Sequence, residues 1–459
     1  MTIHTRILLP LFALLFLVSG SVQAQNNPYS GYSGYTNSYF LDYVGGTGFG
    51  PANTSDIQVK LNIGGIATGG ATNIDALGGV TLSSVDVDTG SRGLFVSQDT
   101  LGAYGTTNSS SFAGTIDLTS SKRVYTGYYT TTPVNFNVTD QSSKNTIATA
   151  NIPVLNVTTL GSESNGTATY NVATSAPATG TLNLVGGGTI NYTTGSFTLT
   201  NGQAVSYTNN LHLLPSVSNF GIGFFVGGNT TTGPVGNNTN QIYNALLNLS
   251  LMTNGSNSMV SGYIVEQNKI QLGLTANTTN FAYTQLQPTG LTSTNSVPDW
   301  KPSSGQVVVN GVTNGPGEVI LDTGIGYSFV GLTNPSGWNN SSSNFLSINL
   351  LNSAGGVGYN FNTSDTTNAV APTSVSEYSS SNTYYNSGRN IFNAFNMLYD
   401  GQNGYMGLLT NNASGANNPN VFFQPGFYPS PVPEPSTTGL CVLGLIGLLG
   451  LGLLRGKRL

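Results

Sequence analysis

Two near-identical phrases constrain the fold of this chain more than any other feature. VDVDTGSRGLFV covers residues 85–96 and VILDTGIGYSFV covers residues 319–330. In each phrase Asp-Thr-Gly follows a short, mostly apolar run, and Phe-Val comes seven and eight residues after the Asp. Apolar runs of this length predict strands, and Asp-Thr-Gly is a good turn sequence. The repeat therefore predicts two similar strand–turn–strand units, each presenting one carboxylate.

The remainder of the chain is also typical of a β protein. Short runs rich in Val, Ile, Thr, Tyr and Phe, such as 57–65, 133–140 and 305–312, alternate with clusters of Gly, Asn and Ser. This pattern predicts antiparallel sheets joined by tight turns. The stretch 240–252 places apolar residues at a helical spacing and predicts a helix. We expect an all-β fold with one helical segment.

Both ends of the chain have the pattern of processing segments. Residues 1–24 combine a positive start, an apolar stretch and a small-residue cleavage site, which predicts a secretory signal peptide. Residues 432–459 contain a Pro-Glu-Pro turn at 433–435, an apolar run over about 439–454 and a basic tail. The run can cross a thin bilayer, and the basic tail would then stay on the cytoplasmic side.

This C-terminal layout resembles the PEP-CTERM sorting signal of Gram-negative bacteria. The resemblance implies an exosortase-type sorting machinery as a partner and a transient hold on the inner membrane through the C-terminal helix. A simple C-terminal anchor is the alternative. In either case we expect the body of the protein to be exported to the periplasm, the cell surface or the medium.

The composition removes several classes of function. Charged residues make up 6% of the chain, so no basic patch is available to neutralise phosphates, and we expect no nucleic-acid partner. Loss of the signal peptide leaves His212 as the histidine of the mature chain, and the single Cys is Cys441 in the apolar run near the C-terminus. These counts exclude a disulfide framework, a cysteine nucleophile and a His-rich zinc site in the body. We interpret His212 as structural or surface-exposed, and we predict no metal and no cofactor.

The chemistry left to such a chain is that of carboxylates, hydroxyls and backbone groups. Two carboxylates held close together cannot both ionise easily, so they share one proton. The ionised member can take a proton from a water molecule, while the protonated member hydrogen-bonds to a peptide carbonyl. Asp88 and Asp322 are the candidates for such a pair.

The paired motif resembles that of the pepsin-like aspartic proteases. The resemblance implies two similar β-barrel-like lobes with an active-site cleft between them, and it implies Asp88 and Asp322 as the catalytic residues. We expect an N-terminal lobe over 49–278, with an inserted hairpin-rich region at about 155–212, and a C-terminal lobe over 279–412. A short N-terminal segment at 25–48 and a loose linker at 413–431 complete the division.

The residues next to each Asp also match the motif of this family. Thr89 and Thr323 match the threonines that grip each other beneath the two carboxylates. Gly90 and Gly324 match the glycines of the tight turns, and Ser91 matches the hydroxyl that bonds the outer oxygen of the first Asp. Weaker matches continue along the chain over roughly residues 50 to 410, at Gly221, Gly223, Gly388, Asp400 and Gly407.

Three departures from the family pattern bear on activity. Ile325 stands where a Ser or Thr is usual, which removes a hydroxyl donor from the outer oxygen of Asp322. The usual flap hairpin over the cleft is not recognisable, and Tyr125 is the candidate for the flap tyrosine, with a packed strand tyrosine as the alternative. No basic propeptide is apparent between the signal peptide and the first strand.

Three hypotheses follow. The first is a monomeric, surface-sorted aspartic endopeptidase that acts on an extended polypeptide, whose side chains would alternate between pockets of the cleft. The second keeps the fold without catalysis, as a surface protein that binds a peptide or glycan or acts in adhesion. The third is a structural β-repeat protein in which the two phrases are coincidental.

Overall fold

The structure, a computed structural model, describes twenty stretches of the chain. These are residues 32, 34–46, 48–50, 55–67, 70–105, 111–118, 123–164, 167–171, 179–183, 188–193, 196–199, 217–223, 244–253, 259–278, 280–292, 298–340, 343–350, 356–411, 418–424 and 426–428. The predicted signal peptide, the C-terminal sorting segment with its apolar run, and His212 lie outside them.

The protein is all-β, as the sequence predicts. The strands before residue 280 are β1 Tyr39–Asp42, β2 Gln58–Ile63, β3 Val80–Asp88, β4 Arg92–Ser97, β5 Phe112–Leu118, β6 Arg123–Asp140, β7 Asn145–Ser164, β8 Thr167–Asn171, β9 Thr179–Asn183, β10 Thr189–Thr193, β11 Ser196–Leu199, β12 Ser218–Ile222, β13 Val260–Val265 and β14 Lys269–Leu274.

The second part of the chain is equally rich in strands. They are β15 Ala282–Gln285, β16 Pro288–Thr292, β17 Pro298–Trp300, β18 Ser303–Val309, β19 Val312–Ile320, β20 Ser328–Leu332, β21 Phe345–Asn349, β22 Val357–Asn362, β23 Val375–Ser379, β24 Tyr384–Asn386, β25 Phe395–Asp400, β26 Tyr405–Thr410, β27 Val421–Phe423 and β28 Gly426–Tyr428.

Helices in the described residues are short. Two single-turn α-helices are α1 Gln98–Leu101 and α2 Ser250–Thr253, and the 3₁₀ turns are Val44–Gly46, Ile74–Ala76, Gly102–Gly105, Ala245–Asn248, Ala276–Thr278, Pro335–Gly337 and Arg389–Asn393. None of the helices in these stretches is both long and apolar enough to span a membrane.

The two Asp-Thr-Gly turns lie in units of the same topology. In the first unit (β3, β4 and β12), β12 runs parallel to β3 and antiparallel to β4. In the second unit (β19, β20 and β24), β24 runs parallel to β19 and antiparallel to β20. A further parallel strand lies beside each unit, with β7 next to β4 and β23 next to β20. The repeated phrase therefore corresponds to a repeated arrangement of strands.

A six-stranded antiparallel layer joins the two parts of the chain, and we call it the floor sheet. Its order is β1–β14–β13–β25–β26–β15. The hairpin β13–β14 follows the first unit in the chain, and the hairpin β25–β26 follows the second unit. Strands β13 and β25 meet at the centre, so each part of the chain contributes one hairpin and one further strand, and the sheet continues with β6 beside β1 and β28 beside β15.

Alternating apolar residues of the strands build the core beneath each turn. Val85 and Val87 on β3 are fully buried, as are Leu94 and Val96 on β4. Full burial of a side chain of this size stabilises the fold by about 1.5–3 kcal/mol. The apolar residues that flank the first Asp-Thr-Gly thus anchor the turn to the core.

The predicted helix at 240–252 is not continuous over its described residues. The 3₁₀ turn Ala245–Asn248 is followed by Leu249 in extended backbone, which forms a bridge with Ala150 on β7. Helix α2 begins only after this bridge. Because Leu246 and Leu247 are both buried, the apolar spacing correctly indicates a packed segment, but pairing with β7 interrupts the helical backbone.

Two other predicted segments contain regular structure. Strands β8 to β11, which lie in the predicted hairpin-rich region, pair antiparallel with one another or with β7. The predicted linker at 413–431 includes β27, which pairs with β22, and β28, which runs parallel to β15. In the predicted linker, pairing with β22 and β15 gives β27 and β28 an order that the polar composition does not indicate.

Candidate active site

The carboxyl groups of Asp88 and Asp322 lie at the ends of equivalent strands. Asp88 is the last residue of β3, and Asp322 comes two residues after the end of β19. Their exposed fractions are 7% and 3%. Burial of a carboxylate is costly unless it is paired or hydrogen-bonded. Each of these two groups therefore needs hydrogen-bond donors around it for the site to be stable.

Thr89 and Thr323 bond to each other and tie the two turns together. The Thr323 N–H donates to Thr89 Oγ1 at 3.0 Å, and the Thr89 N–H donates to Thr323 Oγ1 at 3.0 Å. Each hydroxyl also donates across to the opposite unit, from Thr89 to the Leu321 carbonyl at 2.5 Å and from Thr323 to the Val87 carbonyl at 2.6 Å. This reciprocal network fixes the position of one Asp relative to the other.

Gly90 and Gly324 have two roles in the site. The Gly90 N–H donates to Asp88 Oδ1 at 2.7 Å, and the Gly324 N–H donates to Asp322 Oδ1 at 2.8 Å. Each glycine also faces the opposite carboxyl group. A Cβ atom on Gly90 would lie 2.2 Å from Asp322 Cγ, and one on Gly324 would lie 2.7 Å from Asp88 Cγ. Any side chain at either position would separate the two carboxyl groups.

Two asparagines hold the remaining oxygens of the pair. Asn219 on β12 donates from Nδ2 to Asp88 Oδ2 at 3.0 Å, and Asn386 on β24 donates from Nδ2 to Asp322 Oδ2 at 2.6 Å. With the glycine N–H groups, these bonds give each carboxyl group a donor on both oxygens. A charged acceptor makes such bonds roughly twice as strong as neutral ones.

The sequence alone does not connect these asparagines with the two aspartates. Each lies two residues before a glycine, in Asn-Phe-Gly at 219–221 and in Asn-Ser-Gly at 386–388. That shared spacing is the signal in the sequence, but Asn is so frequent in this chain that only the strand pairing singles these two out.

The hydroxyl implied by the resemblance does not contact Asp88. Ser91 Oγ is buried and has no hydrogen-bond partner among the described residues. Ile325, at the matching position of the second turn, is partly exposed and has no donor. The asparagine amides therefore occupy, in both units, the place at Oδ2 that a hydroxyl would take.

The environment of Asp322 favours its protonated form. Burial raises the pKa of Asp322 well above its ordinary value, and the nearby charge of Asp88 raises it further. The hydrogen bonds from Asn386 and from the Gly324 N–H act in the opposite direction, because they favour the ionised form. A side-chain hydrogen bond with Asp88 also raises the pKa of Asp322, which is consistent with one proton shared between the two groups.

Two ion pairs connect the two parts of the chain near the site. Arg92, at the start of β4, donates to Asp299 Oδ2 at 2.9 Å, and both side chains are at least nine-tenths buried. Arg389, just after β24, donates to Asp56 Oδ1 at 3.1 Å, and 44% of the Asp56 side chain is exposed. Each arginine follows a strand of one unit and pairs with a carboxylate from the other part of the chain.

Tyr125, the candidate flap residue, is packed against the first unit. It lies on β6, opposite Ile116 on β5, and only 4% of it is exposed. The centroid of its ring is 4.7 Å from that of Phe95, the residue seven positions after Asp88. The turn of the β5–β6 hairpin lies outside the described residues. Tyr125 thus packs in a small apolar cluster next to the unit that carries Asp88.

A metal has no obvious ligands here. Among the residues that the structure describes, no three His, Cys, Asp or Glu side chains come close enough to hold an ion.

Comparison with known families identifies the C-terminal segment. Residues 431–458 match the family model of the PEP-CTERM protein-sorting motif. This confirms the predicted sorting signal, and it indicates export and surface sorting in a Gram-negative bacterium through an exosortase-type machinery. No curated protein sequence matches the chain.

Proposed function

We propose that this exported protein is an aspartic endopeptidase in which Asp88 and Asp322 act together to hydrolyse peptide bonds. The observation that carries the proposal is the crossed contact of the two turns. Each glycine faces the opposite carboxyl group, and the two threonines bond to each other and to the main chain of the opposite unit. A coincidental repeat has no reason to bring two carboxyl groups together in this way, which argues against a purely structural β-repeat protein.

The bilobed, pepsin-like fold is part of the same proposal. Its support is the repeated topology of the first and second units and the equal share of each part of the chain in the floor sheet. The cleft would run between the two parts, above the turns. An extended polypeptide is the natural substrate class, because a strand-like chain can hydrogen-bond along such a cleft and place alternate side chains in pockets.

The proposed mechanism assigns a different role to each carboxyl group. Asp322 carries the shared proton, because burial and the charge of Asp88 raise its pKa. Ionised Asp88 takes a proton from a water molecule as the water oxygen attacks the peptide carbonyl carbon, and Asp322 gives its proton to the carbonyl oxygen. Asp88 then gives its proton to the peptide nitrogen as the C–N bond breaks, and a hydroxyl of the tetrahedral intermediate returns a proton to Asp322. The products are one carboxylic acid and one amine, with one water consumed.

The test measures hydrolysis of a denatured protein by the purified chain from acidic to neutral pH. Asp88→Asn and Asp322→Asn are each expected to lower the rate by about 10²–10⁴-fold, because each removes an acid–base group. Asp365→Asn is the matched control, since Asp365 is an exposed loop carboxylate that accepts bonds from its own turn. The proposal fails if hydrolysis persists unchanged in Asp88→Asn, or if the wild-type chain is inactive at every pH.

A non-catalytic binding protein with the same fold is the second candidate. Its support is Ile325, a partly exposed apolar side chain beside Asp322, together with the burial of Tyr125. An inactive wild-type chain that binds an extended peptide, with affinity lost in Ile325→Asp, would favour this candidate over the endopeptidase.

A further inference from the structure

The two asparagines at the site occupy equivalent positions in the two units. Asn219 lies opposite Asp86 on β3, two residues before Asp88. Asn386 lies opposite Ile320 on β19, two residues before Asp322. On the other side, each asparagine faces the Phe that comes seven residues after the Asp of its own unit. The same side chain is thus supplied to both carboxyl groups from the same place in the strand pattern.

The local environment fixes the Asn386 amide in one orientation. Asn386 Oδ1 accepts the Gly388 N–H at 3.0 Å, so the amide nitrogen faces Asp322 Oδ2. Gly388 has a positive φ of 62°, a conformation that suits glycine and that aims its N–H back at the asparagine. In the first unit, Asn219 Oδ1 is buried without a hydrogen-bond partner among the described residues. The donor to Asp322 is therefore held more firmly than the donor to Asp88.

Among the described residues, no hydroxyl donates a hydrogen bond to the Oδ2 atoms that the asparagines hold. Ser91 Oγ has no hydrogen-bond partner among the described residues, and Ile325 has no polar side-chain atom. Loss of either amide would leave one oxygen of a buried carboxyl group without its side-chain donor. Such a bond to a charged group is stronger than a bond between neutral groups.

We propose that Asn219 and Asn386 are positioning residues of the carboxyl pair, which hold the Oδ2 atoms of Asp88 and Asp322 from β12 and β24 and set how readily the pair ionises. Their catalytic meaning rests on the proposed endopeptidase function, but their effect on the carboxyl groups does not. They do not contact the scissile bond, so they act through the two aspartates. Asn386, with its anchored amide, makes the larger contribution.

The test compares Asn386→Ala and Asn219→Ala by two independent measurements. The first is titration of the ¹³C-labelled aspartate carboxyl groups by NMR, and the second is the pH profile of kcat/KM. Asn386→Ala is expected to move the ionisation of the pair to higher pH, because the lost bond favours the ionised form. It should also lower kcat by about 10–100-fold with little change in KM, and Asn219→Ala should act in the same direction with a smaller effect.

A rescue variant and a matched control variant distinguish a positioning role from a general effect on protein stability. The double variant Asn386→Ala with Ile325→Ser places a hydroxyl in the second turn and is expected to recover part of the lost kcat and of the titration shift. Asn344→Ala is the control, because Asn344 is a buried asparagine that bonds to the Asn339 main chain away from the site. It should lower the melting temperature without moving the carboxyl titration.

The outcomes distinguish this proposal from the endopeptidase assignment. If Asn386→Ala lowers only the melting temperature and leaves the carboxyl titration where it was, the positioning role is overturned. If the titration moves as expected but the wild-type chain hydrolyses no peptide, the asparagine assignment stands and the proposed endopeptidase function fails.

Discussion

The first and second units share the same strand arrangement but differ in how deeply the residues after each turn are buried. In the first unit, every residue from Ser91 to Ser97 is buried, and Phe95 packs beneath Tyr125 of the β5–β6 hairpin. In the second unit, Ile325, Tyr327 and Phe329 are all partly exposed. The rings of Tyr327 and Phe329 contact each other edge to face, with their centroids 5.2 Å apart.

The comparison distinguishes the groups that hold the two carboxyl groups, which must be the same in both units, from the surrounding residues, which can differ. The threonine bonds, the glycine N–H groups and the asparagine donors occur at equivalent positions in both units, because a change in any of them moves a buried carboxyl group. Apolar side chains after each turn, such as Phe95 and Phe329, cannot donate a hydrogen bond to either carboxyl group and can vary without that effect. Under the proposed endopeptidase function, the partly exposed apolar side chains of the second unit are the natural place for contact with a substrate side chain.

The largest effect is expected from the bonds that both units share. Thr89→Val and Thr323→Val each leave one backbone N–H and one carbonyl of the opposite unit unpaired. At about 1–3 kcal/mol for each buried group, either variant should lose roughly 2–6 kcal/mol of unfolding free energy, measured by denaturant titration. The loss should be similar for both.

The double variant sharpens this comparison. Because the two threonines belong to one network, Thr89→Val with Thr323→Val should cost less than the sum of the single variants. Strictly additive losses of unfolding free energy would show that the two hydroxyls act independently. A loss in only one of the two single variants would contradict the equivalence of the two units.

The two ion pairs should behave differently, because only one is fully enclosed. Arg92→Met leaves Asp299 buried and without its guanidinium, and it should cost about 3–5 kcal/mol in a denaturant titration. Arg389→Met leaves Asp56, which is 44% exposed and open to water, and it should cost no more than about 1 kcal/mol. Equal losses would mean that the exposure of the carboxylate does not decide the cost.

Asp322 should make stability depend on pH in a particular direction. Its pKa is raised in the folded protein, so the folded state binds the proton more tightly than the unfolded chain, and stability falls as pH rises from the ordinary aspartate value through the raised one. Asp322→Asn cannot ionise. The melting temperature of the variant, relative to wild type, should therefore increase between about pH 4 and neutrality. A difference that is constant with pH would contradict the assignment of the proton to Asp322.

The smallest effect is expected at the hydroxyl of the first turn. Ser91→Ala removes a buried oxygen that has no hydrogen-bond partner among the described residues. Such a change should alter the unfolding free energy by less than about 0.5 kcal/mol, or stabilise the protein slightly, because no bond is lost. A loss above about 1 kcal/mol in a denaturant titration would show that Ser91 makes a bond that the Asn219 assignment does not include.

The sequence reveals local features of the site better than those that depend on strand pairing. Asp88, Asp322 and their Thr-Gly neighbours stand out because each set is contiguous and occurs twice. Asn219 and Asn386 are 131 and 64 residues away from the Asp that they hold, so no local pattern connects them to it. Their role follows from the parallel pairing of β12 with β3 and of β24 with β19.

Two segments of the fold were likewise not predictable from local sequence, because their structure depends on strand pairing. Alternating apolar residues predict the strands, and the all-β class is correct, but the helical spacing at 240–252 does not reveal that Leu249 would pair with Ala150 on a distant strand. The polar composition of 413–431 likewise indicates a linker, although β27 and β28 add to existing sheet edges. In both segments a tertiary contact overrides the local preference.

The contact between Tyr32 and Asp400 has a consequence for the time course of folding. The Tyr32 hydroxyl donates to Asp400 Oδ2 at 2.5 Å across 368 residues of chain, and β1 nearby completes one edge of the floor sheet. During export the N-terminal end crosses the membrane first, so this contact cannot form until almost all of the chain has followed. Contacts of such long sequence separation slow folding, because the intervening loop must close before they form. We therefore expect the floor sheet to close last, and a chain truncated before residue 395 to remain open and sensitive to proteases.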